Sequence, residues 1–588
     1  MTSSPMSSPL RAVEFQSRSA WKGVVRATGL ALGFLSLSGC PNRTPEGVRP
    51  AAAPVQSTEV RFESVGAKLG VKYRSPQLPD PLTILDAFGC GCAFLDYDGD
   101  GWQDLLLVAE PYPRLYQNLK GQRFTEVTAG SGLDLLRGAW KGCAVGDYDG
   151  DGRLDLLLTG YHCLALLRNA GGGRWEDRTA AAGIGPGKQW SSSAGFMDLD
   201  ADGDLDLVLL NYVQFGKKEP HYCEPKPGIR AGCPPRFYPP QFPELWKNEG
   251  QGRFRNVSAA AGMKDASGTA QVLAFSDVDE DGDPDFYLGN DGVPADLMVN
   301  QGNLRFRNAG LESGVAYGTD GGALAAMSAD WADYDRDGHL DLFVTAFSGE
   351  PYSLLRAVGK GNFQQQSEPT GIEALTRTPL GFGSRWLDFD NDGWPDLAVA
   401  NGHVYNRTAE LSAGTTFRQP LMLFRNVRGS RFEDLLPQMD AEVRTPLLGR
   451  GLASGDLDND GREDLLVVNH GGAPLLLRNT SRSANHWITL DLRGKGGNRL
   501  AYGATVTGQA GDQTWVGQVS PASSYLSSSD PRVHFGLGEV ARLESLTVRW
   551  PDGQQQVLRD LPVDGIIRIT EGENAVNALA RMPAGGVP

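Results

Sequence analysis

The pattern Asp-x-Asp-x-Asp-Gly-x-x-Asp occurs seven times in this chain. The acids are Asp96, Asp98, Asp100 and Asp104 in loop one, and Asp147, Asp149, Asp151 and Asp155 in loop two. Loop three has Asp198, Asp200, Asp202 and Asp206, and loop four has Asp277, Asp279, Asp281 and Asp285. Loops five, six and seven have Asp333, Asp335, Asp337 and Asp341; Asp388, Asp390, Asp392 and Asp396; and Asp456, Asp458, Asp460 and Asp464. Counted from the first aspartate, carboxylates stand at positions 1, 3, 5 and 9, with glycine at position 6. Alternate acids on a curling chain converge on one centre, and glycine takes the backbone conformation that the sharp turn needs. Ca²⁺ accepts about six to eight hard oxygen ligands in a flexible shell, whereas Mg²⁺ takes fewer protein ligands and keeps its waters. Up to seven Ca²⁺ are therefore expected. Position 7 offers each ion a backbone carbonyl, from Trp102, Arg153, Asp204, Asp283, His339, Trp394 and Arg462. A hydrated Asp-Gly turn accounts for one such match but not for seven complete ones. The loops hold twenty-eight of the 71 acidic residues, and seven divalent ions would bring the formal charge of −16 close to zero. The acidity is thus largely internal, and it argues against a nucleic-acid partner, which needs clustered Lys and Arg.

Short apolar runs flank the loops. Cys92-Ala-Phe-Leu95 leads into loop one and Asp104-Leu-Leu-Leu-Val108 leaves it. Such runs read as buried strands, so each loop joins strands A and B of a hairpin. An asparagine follows, with an aromatic six residues later: Asn118/Phe124, Asn169/Trp175, Asn248/Phe254, Asn300/Phe306 and Asn426/Phe432. Repeat five keeps Phe363 but has Ala357 in place of the asparagine. The asparagine marks strand C and the aromatic opens strand D. Four-stranded units recurring every 51 or more residues make a propeller. Repeat seven stops at Asn479 and has Asn485 where the aromatic belongs, while the segment Val60–Val65 resembles an orphan strand D. We expect that segment to complete blade seven and close the ring, leaving no open edge. The fold expected is all-β: a seven-bladed β-propeller with calcium-binding hairpin loops over 58–480. A small β-sandwich-like domain over 481–573 and a tail over 574–588 follow it.

The beginning of the chain reads as targeting sequence. Arg11, Arg18, Lys22 and Arg26 precede an apolar run from Leu30 to Leu37 and then Ser38-Gly39-Cys40. The run is too short for a permanent membrane span. Leu-Ser-Gly-Cys resembles a bacterial lipobox. It implies a signal peptide over 1–39, a lipidated Cys40, a flexible tether over 40–57 and membrane attachment through the lipid alone. Pro41 favours the outer membrane as the destination.

On these repeats the chain resembles the FG-GAP (VCBS) proteins, the calcium propellers of the integrin α-chain type. Residues 481–573 resemble the ASPIC/UnbV domain through Asn485-His-Trp487, Tyr502-Gly-Ala504, Ser524-Tyr-Leu-Ser527, Ser529-Asp-Pro-Arg532, His534-Phe-Gly-Leu-Gly538 and Val548-Arg-Trp-Pro-Asp-Gly553. Together these features imply a bacterial relative of the cartilage acidic proteins.

Strand alternation puts all seven loops on one face and the B–C connections on the other. Loop start to strand-C asparagine takes 22 residues in repeats one and two, 50 in repeat three and 38 in repeat six. Both insertions fall between strands B and C. The first, 212–243, carries Tyr212, His221, Tyr222, Arg236, Phe237 and Tyr238, with Cys223 and Cys233 placed to form a disulfide in an exported protein. The second, 401–420, carries His403 and Tyr405. Long inserts on a rigid scaffold are where recognition usually sits. Lys141, Trp190, Arg385, Arg450, Asn469 and His470 are expected near the same mouth, where polar groups converging on the axis would suit an anionic or sugar ligand; with His221 and His403, all but Asn469 form the candidate ligand-binding set of a module that recognises a protein or glycan. Cys90 or Cys92 could bridge to Cys163, or all could be buried thiols. Neither Gly-x-Ser-x-Gly, His-Glu-x-x-His nor a phosphate loop occurs. The leading reading is a binding or adhesion module at the cell envelope. A calcium-dependent enzyme, either a polysaccharide lyase or a biosynthetic cyclase, and an outer-membrane assembly factor are the alternatives.

Overall fold

The structure is a computed structural model that describes residues 59–185, 187–216, 221–411, 414–520 and 522–581. The expected signal peptide, Cys40 and the tether lie outside these residues. Seven four-stranded antiparallel sheets carry the seven loops. In blade one, strand A is Cys92–Leu95, B is Asp104–Leu107, C is Arg114–Asn118 and D is Phe124–Glu126. Strands A and B are buried on both sides, with Phe94, Leu105 and Leu106 fully enclosed, which is why they read as unbroken apolar runs rather than alternating ones. The A strands line the axis, each packed on its neighbours, and strand A of blade one packs against its counterpart Gly449–Gly455 in blade seven, so the ring is closed.

Blade seven is composite. Phe62–Ser64 pairs antiparallel with Leu477–Asn479, with Phe62 opposite Asn479. Phe124 stands opposite Asn118 in the same register in blade one. Phe62 is therefore the aromatic that repeat seven lacks, supplied from the other end of the chain.

The C-terminal domain is a sandwich of two four-stranded sheets. One sheet contributes Leu490, Phe535 and Ile567 to its core, the other Val506, Trp515 and Leu546. The domain runs past 573: Val576–Arg581 pairs with Gly565–Thr570, so the first part of the expected tail is a fourth strand. No helix among the described residues is long and apolar enough to cross a membrane.

The sandwich sits on the Asp-loop face. The guanidinium of Arg336, in loop five, lies 4.6 Å from the Trp515 ring and donates to the Thr514 carbonyl at 3.1 Å. His534 meets Asn391 of loop six at 2.8 Å, Arg532 donates to Asn459 of loop seven at 3.0 Å, and Tyr502 donates to the Val145 carbonyl at 3.1 Å. Between two of the sandwich strands, residues 522–530 leave the domain and enter the axis of the ring. Cys143 N–H donates to Leu526 O, Ser524 N–H to Ala329 O, Ser528 N–H to Cys92 O and Asp530 N–H to Ser454 O, at 3.0–3.2 Å. The hydroxyl of Ser527 accepts from Cys92 N–H, and that of Ser524 donates to Leu452 O. This finger thus satisfies inner-strand backbone groups of blades one, two, five and seven that would otherwise face an open channel. Glycine lets it approach: a Cβ at Gly91 would lie 1.8 Å from Leu526 O, and one at Gly451 would lie 2.6 Å from the Ser527 hydroxyl.

Candidate functional site

Every loop is built by the same local bonds. The position-6 glycines have φ between 80° and 110°, the left-handed region. Each donates its N–H to the position-1 carboxylate at 2.7–3.0 Å. The position-7 amide donates to the position-5 carboxylate at 2.9–3.1 Å. Position 9 is the first residue of strand B, and its two oxygens accept separate amides. One comes from position 2 at 2.8–3.3 Å. The other comes from the strand-C asparagine, or from Ala357 in blade five, at 2.6–2.8 Å.

This scaffold aims oxygens at one point. In loops one, two, four and five, positions 1, 3 and 9 each place an oxygen within 4.8 Å of the others; in loop three, positions 1, 3 and 5 do so. Oδ1 of Asp200, Asp279, Asp335, Asp390 and Asp458, all at position 3, is buried and has no hydrogen-bond donor. Buried carboxylate oxygens without donors are costly unless a cation meets them. Burial, helped by neighbouring carboxylates, pushes position 9 up to about 9 in Asp104 and Asp341 and about 8 in Asp155, Asp206 and Asp285. In loop six it holds Asp388 and Asp396 well above the carboxylate range. The clusters could hold metal ions, and an all-oxygen donor set suits a hard divalent one. Position 5 is less uniform than expected. Asp151 is paired with Arg153 and Arg168, and Asp460 with Arg462, because long side chains beside the loop reach the outermost carboxylate.

Two features of the loops escaped the sequence analysis. The residue before the strand-C asparagine is Arg168, Lys247, Arg425 or Arg478 in four blades, and Arg356 stands there in blade five. Each pairs with carboxylates at position 3 or 5 of its own loop. In blade four Val299 holds that place, and Arg549 of the sandwich reaches Asp277 at 2.7 Å instead. The asparagine amide is a staple between blades. Asn118 Nδ2 donates at 2.8 Å both to Gln103 O in its own loop and to Leu457 O in the preceding blade. Asn169, Asn248, Asn300, Asn426 and Asn479 reach the preceding blade in the same way. Blade five has Ala357, and there the backbone N–H of Gly361 donates to Val278 O at 2.9 Å in place of the amide.

The opposite mouth has a different character. A cavity of about 430 Å³ opens there. Phe88, Tyr212, Phe347, Phe382, Tyr405 and Tyr525 form much of its wall, and Tyr525 belongs to the finger. Insert three closes one side with Cys233, Pro234, Pro235, Arg236 and Tyr238, held by the Cys223–Cys233 disulfide. Asp291 and Glu350 are its acids. Asp291 Oδ2 accepts from Tyr212 OH at 2.5 Å and Gln271 Nε2 at 2.6 Å, and Glu350 Oε2 accepts from Ala325 N–H at 2.9 Å. Burial, with repulsion from Glu350, raises Asp291 to about 6.

The expected ligand set does not gather at this mouth. Arg450 is enclosed and spends its guanidinium on the carbonyls of Ala87, Gly402, Gly449 and His403. It lies 3.9 Å from the Phe382 ring, so it props the cavity wall from behind. His470 bonds Asp86 O at 2.7 Å, and His403 accepts from Tyr405 N–H at 3.1 Å. Burial next to Arg450 lowers these two imidazoles to about 3 and about 4, keeping them neutral. Lys141 is buried against Glu110, and Trp190 is fully enclosed beside Phe88 and Tyr212. His221 is exposed and stacks on Tyr238. Arg385 belongs to the other side: it pairs with Asp330 and donates to Ser523, in a gap of about 150 Å³ beneath the sandwich. Cys90, Cys92, Cys143 and Cys163 are free thiols, so no bridge links blades one and two.

The closed ring of Asp-loop blades with its sandwich cap defines a repeat propeller. The chain belongs to the FG-GAP-like repeat family, whose model matches 96–158, 147–209, 277–344, 333–399 and 388–467; the ASPIC and UnbV model matches 494–576. Cartilage acidic protein 1 of Mus musculus is 25% identical over 505 residues, covering 79% of this chain and 70% of the relative. The Homo sapiens protein is also 25% identical, with 69% of its length covered. Among solved structures, an Agrocybe aegerita lectin that recognises non-reducing terminal N-acetylglucosamine aligns with a TM-score of 0.37 and 16% identity, over 59% of this chain and 80% of its own. YCF48 bound to D1 peptide aligns with a TM-score of 0.39 and 11% identity, over 74% and 99%.

Proposed function

We propose that this protein is an exported, lipid-anchored binding module of the bacterial cell envelope. It recognises a protein or glycan ligand at the mouth opposite the Asp loops. One observation carries the reading: the sandwich seats on the loop face over loops two to seven, while the opposite face keeps an aromatic cavity walled by the disulfide-held insert. Enclosed aromatic surface with a few fixed polar groups is the usual make-up of a ligand site.

In this reading Ca²⁺ is held by positions 1, 3 and 9 of each loop, with position 5 and the position-7 carbonyl completing the shell. The ion supplies no chemistry to a ligand. It neutralises buried carboxylates and fixes the A–B hairpins on which the blades stack. Export and lipidation at Cys40 rest on the basic and apolar run that precedes it. The enzyme reading gains no support from His221, His403, His470, Arg385 and Arg450. Their polar atoms are spent on backbone and ion-pair contacts, or stand apart from one another.

The test compares wild type with Val293→Trp, which fills the cavity, on a glycan array and in pulldowns from envelope extracts. Ligand retained by wild type and lost by the filled variant, at equal melting temperature, supports the reading. Equal retention by both places recognition elsewhere. Cys40→Ser, followed by membrane fractionation, checks the anchor: the variant is expected in the soluble fraction.

A further inference from the structure

Among the described residues, the two acids that line the cavity at the open mouth, Asp291 and Glu350, form no ion pair, and the one basic residue in its wall is Arg236. Asp291 is only 9% exposed, and its hydrogen-bond partners are the neutral Tyr212 hydroxyl and Gln271 amide. Glu350 takes two backbone amides and no cation. Arg236 is exposed on insert three. Arg450 lies behind Phe382, committed to four carbonyls. Two further polar groups lining the cavity have no partner. Gln271 Oε1 is an acceptor on a side chain 2% exposed, with its nitrogen turned to Asp291, and the Tyr238 hydroxyl sits on a residue 7% exposed. A buried carbonyl oxygen without a donor marks a place where a ligand N–H or O–H is expected. Aromatic faces surround these acceptors, and the faces of Phe and Tyr attract cations once water is excluded.

We propose that this cavity binds a protonated organic amine, its ammonium donating to the carboxylates of Asp291 and Glu350 and to Gln271 Oε1 while its carbon body packs on Phe88, Phe382 and Tyr525. The inference rests on the reading of this mouth as the ligand site, and it names the ligand's class. An anionic ligand is disfavoured there, because it would meet two carboxylates. A neutral sugar could use the acceptors but would leave the charge unmatched. The amine could be a free metabolite or the side chain of a lysine in a peptide.

Isothermal titration of the intact calcium-loaded protein tests this with three probes: phenethylamine, N-acetylphenethylamine and an end-capped tripeptide with a central lysine. The expected result is saturable binding of phenethylamine, of the tripeptide or of both, with the acetylated probe at least tenfold weaker. Asp291→Asn and Glu350→Gln should each weaken the bound probe about tenfold without lowering the melting temperature. Glu350 stands at the cavity edge, so its variant keeps the test valid if Asp291→Asn folds poorly. Preference for phenethylamine points to a free amine, and preference for the tripeptide to a protein ligand. Equal binding of the acetylated probe, or amine binding unmoved by both variants, overturns the charge assignment yet keeps the cavity as a ligand site. No binding of either amine at millimolar concentration overturns the proposal. The glycan array and pulldown then judge the site independently.

Discussion

On one face of the ring, seven loops of equal length place twenty-eight carboxylates, and a second domain seats on six of the loops. On the other, two inserts of unequal length frame a cavity with two carboxylates. The same strands feed both faces, so the difference lies in the connections. Short A–B connections repeat because each performs the same two tasks, gathering carboxylates at one point and offering the carbonyls to which strand-C asparagines are stapled. The B–C connections vary because the ring does not need them to close. Buried charge also differs in kind. On the loop face it is answered by arginines, amides and a proposed ion. At the mouth it is answered only by neutral donors, which fits a site that waits for a ligand.

Removing calcium should separate the faces most sharply. Exported calcium modules bind at roughly 10⁻⁴–10⁻³ M. At millimolar Ca²⁺ each loop then contributes about 0.4–1.4 kcal/mol, or roughly 3–10 kcal/mol for all seven, by mass action. A chelator is expected to lower the melting temperature by calorimetry, with Ca²⁺ restoring it better than Mg²⁺. An unchanged melt would break the contrast, leaving the loops as hydrated turns.

Gly91→Ala should come next. Its Cβ would collide with Leu526 O at 1.8 Å, so the finger cannot seat without moving backbone. Overpacking of this kind costs about 1–3 kcal/mol or more. Denaturant unfolding should show the loss, and limited proteolysis should cut within 522–530. Asn300→Ala removes the donor to Leu199 O and Pro284 O, and should cost about 1–3 kcal/mol. The reverse change, Ala357→Asn, should gain no more than about 1 kcal/mol, because Gly361 already serves Val278 O.

The smallest effect concerns the mouth. The folded state holds the Asp291 proton up to about pH 6, while the unfolded chain releases it near the ordinary carboxylate value of about 4. A raised folded pKa means stability is lost as pH climbs through that window. Asp291→Asn should therefore gain on wild type between about pH 4 and pH 6 and run parallel above it, by unfolding at matched pH. Burial sets most of the gain, Glu350 adds to it, and Tyr212 and Gln271 oppose it by donating to the carboxylate, while Tyr405 and Tyr525 also face Asp291. Amine binding should weaken as pH falls through about 6.

The loops and blades were legible because their information is local. Four acids and a glycine spell a loop, and an asparagine with an aromatic six residues on spells strands C and D. Even the composite blade could be read, since Phe62 heads a strand with no other partner. The basic residue before the asparagine was visible in the sequence, but its partners could not be known until strand C was laid beside the loop. The finger was not legible. Ala522 to Ser529 reads as a polar loop, and its partners are backbone groups of the inner strands, which carry no side-chain signature. The cavity was half legible. Tyr212, Arg236, Tyr238 and Tyr405 stand in the inserts, but Asp291 and Glu350 come from the B–C connections of blades four and five and Gln271 from strand A of blade four, and they share no motif. Arg450 and His470 misled because buried polar side chains with satisfied partners look, in a sequence, the same as free ones.

The seam between Phe62 and Asn479 also dictates an order of assembly. Arg61 and Ser481, which flank it, are bonded across 420 residues of chain. The Phe62–Ser64 strand is made before any of the seven loops and must therefore stay unpaired while six blades are synthesised and stacked, and it docks only when the seventh arrives. Contacts this distant are slow to form and leave sticky edges exposed meanwhile. A cell producing this protein is thus expected to need a holding chaperone for the nascent amino-terminal strand, and a chain cut short before blade seven should be cleared rather than accumulate as a partial ring.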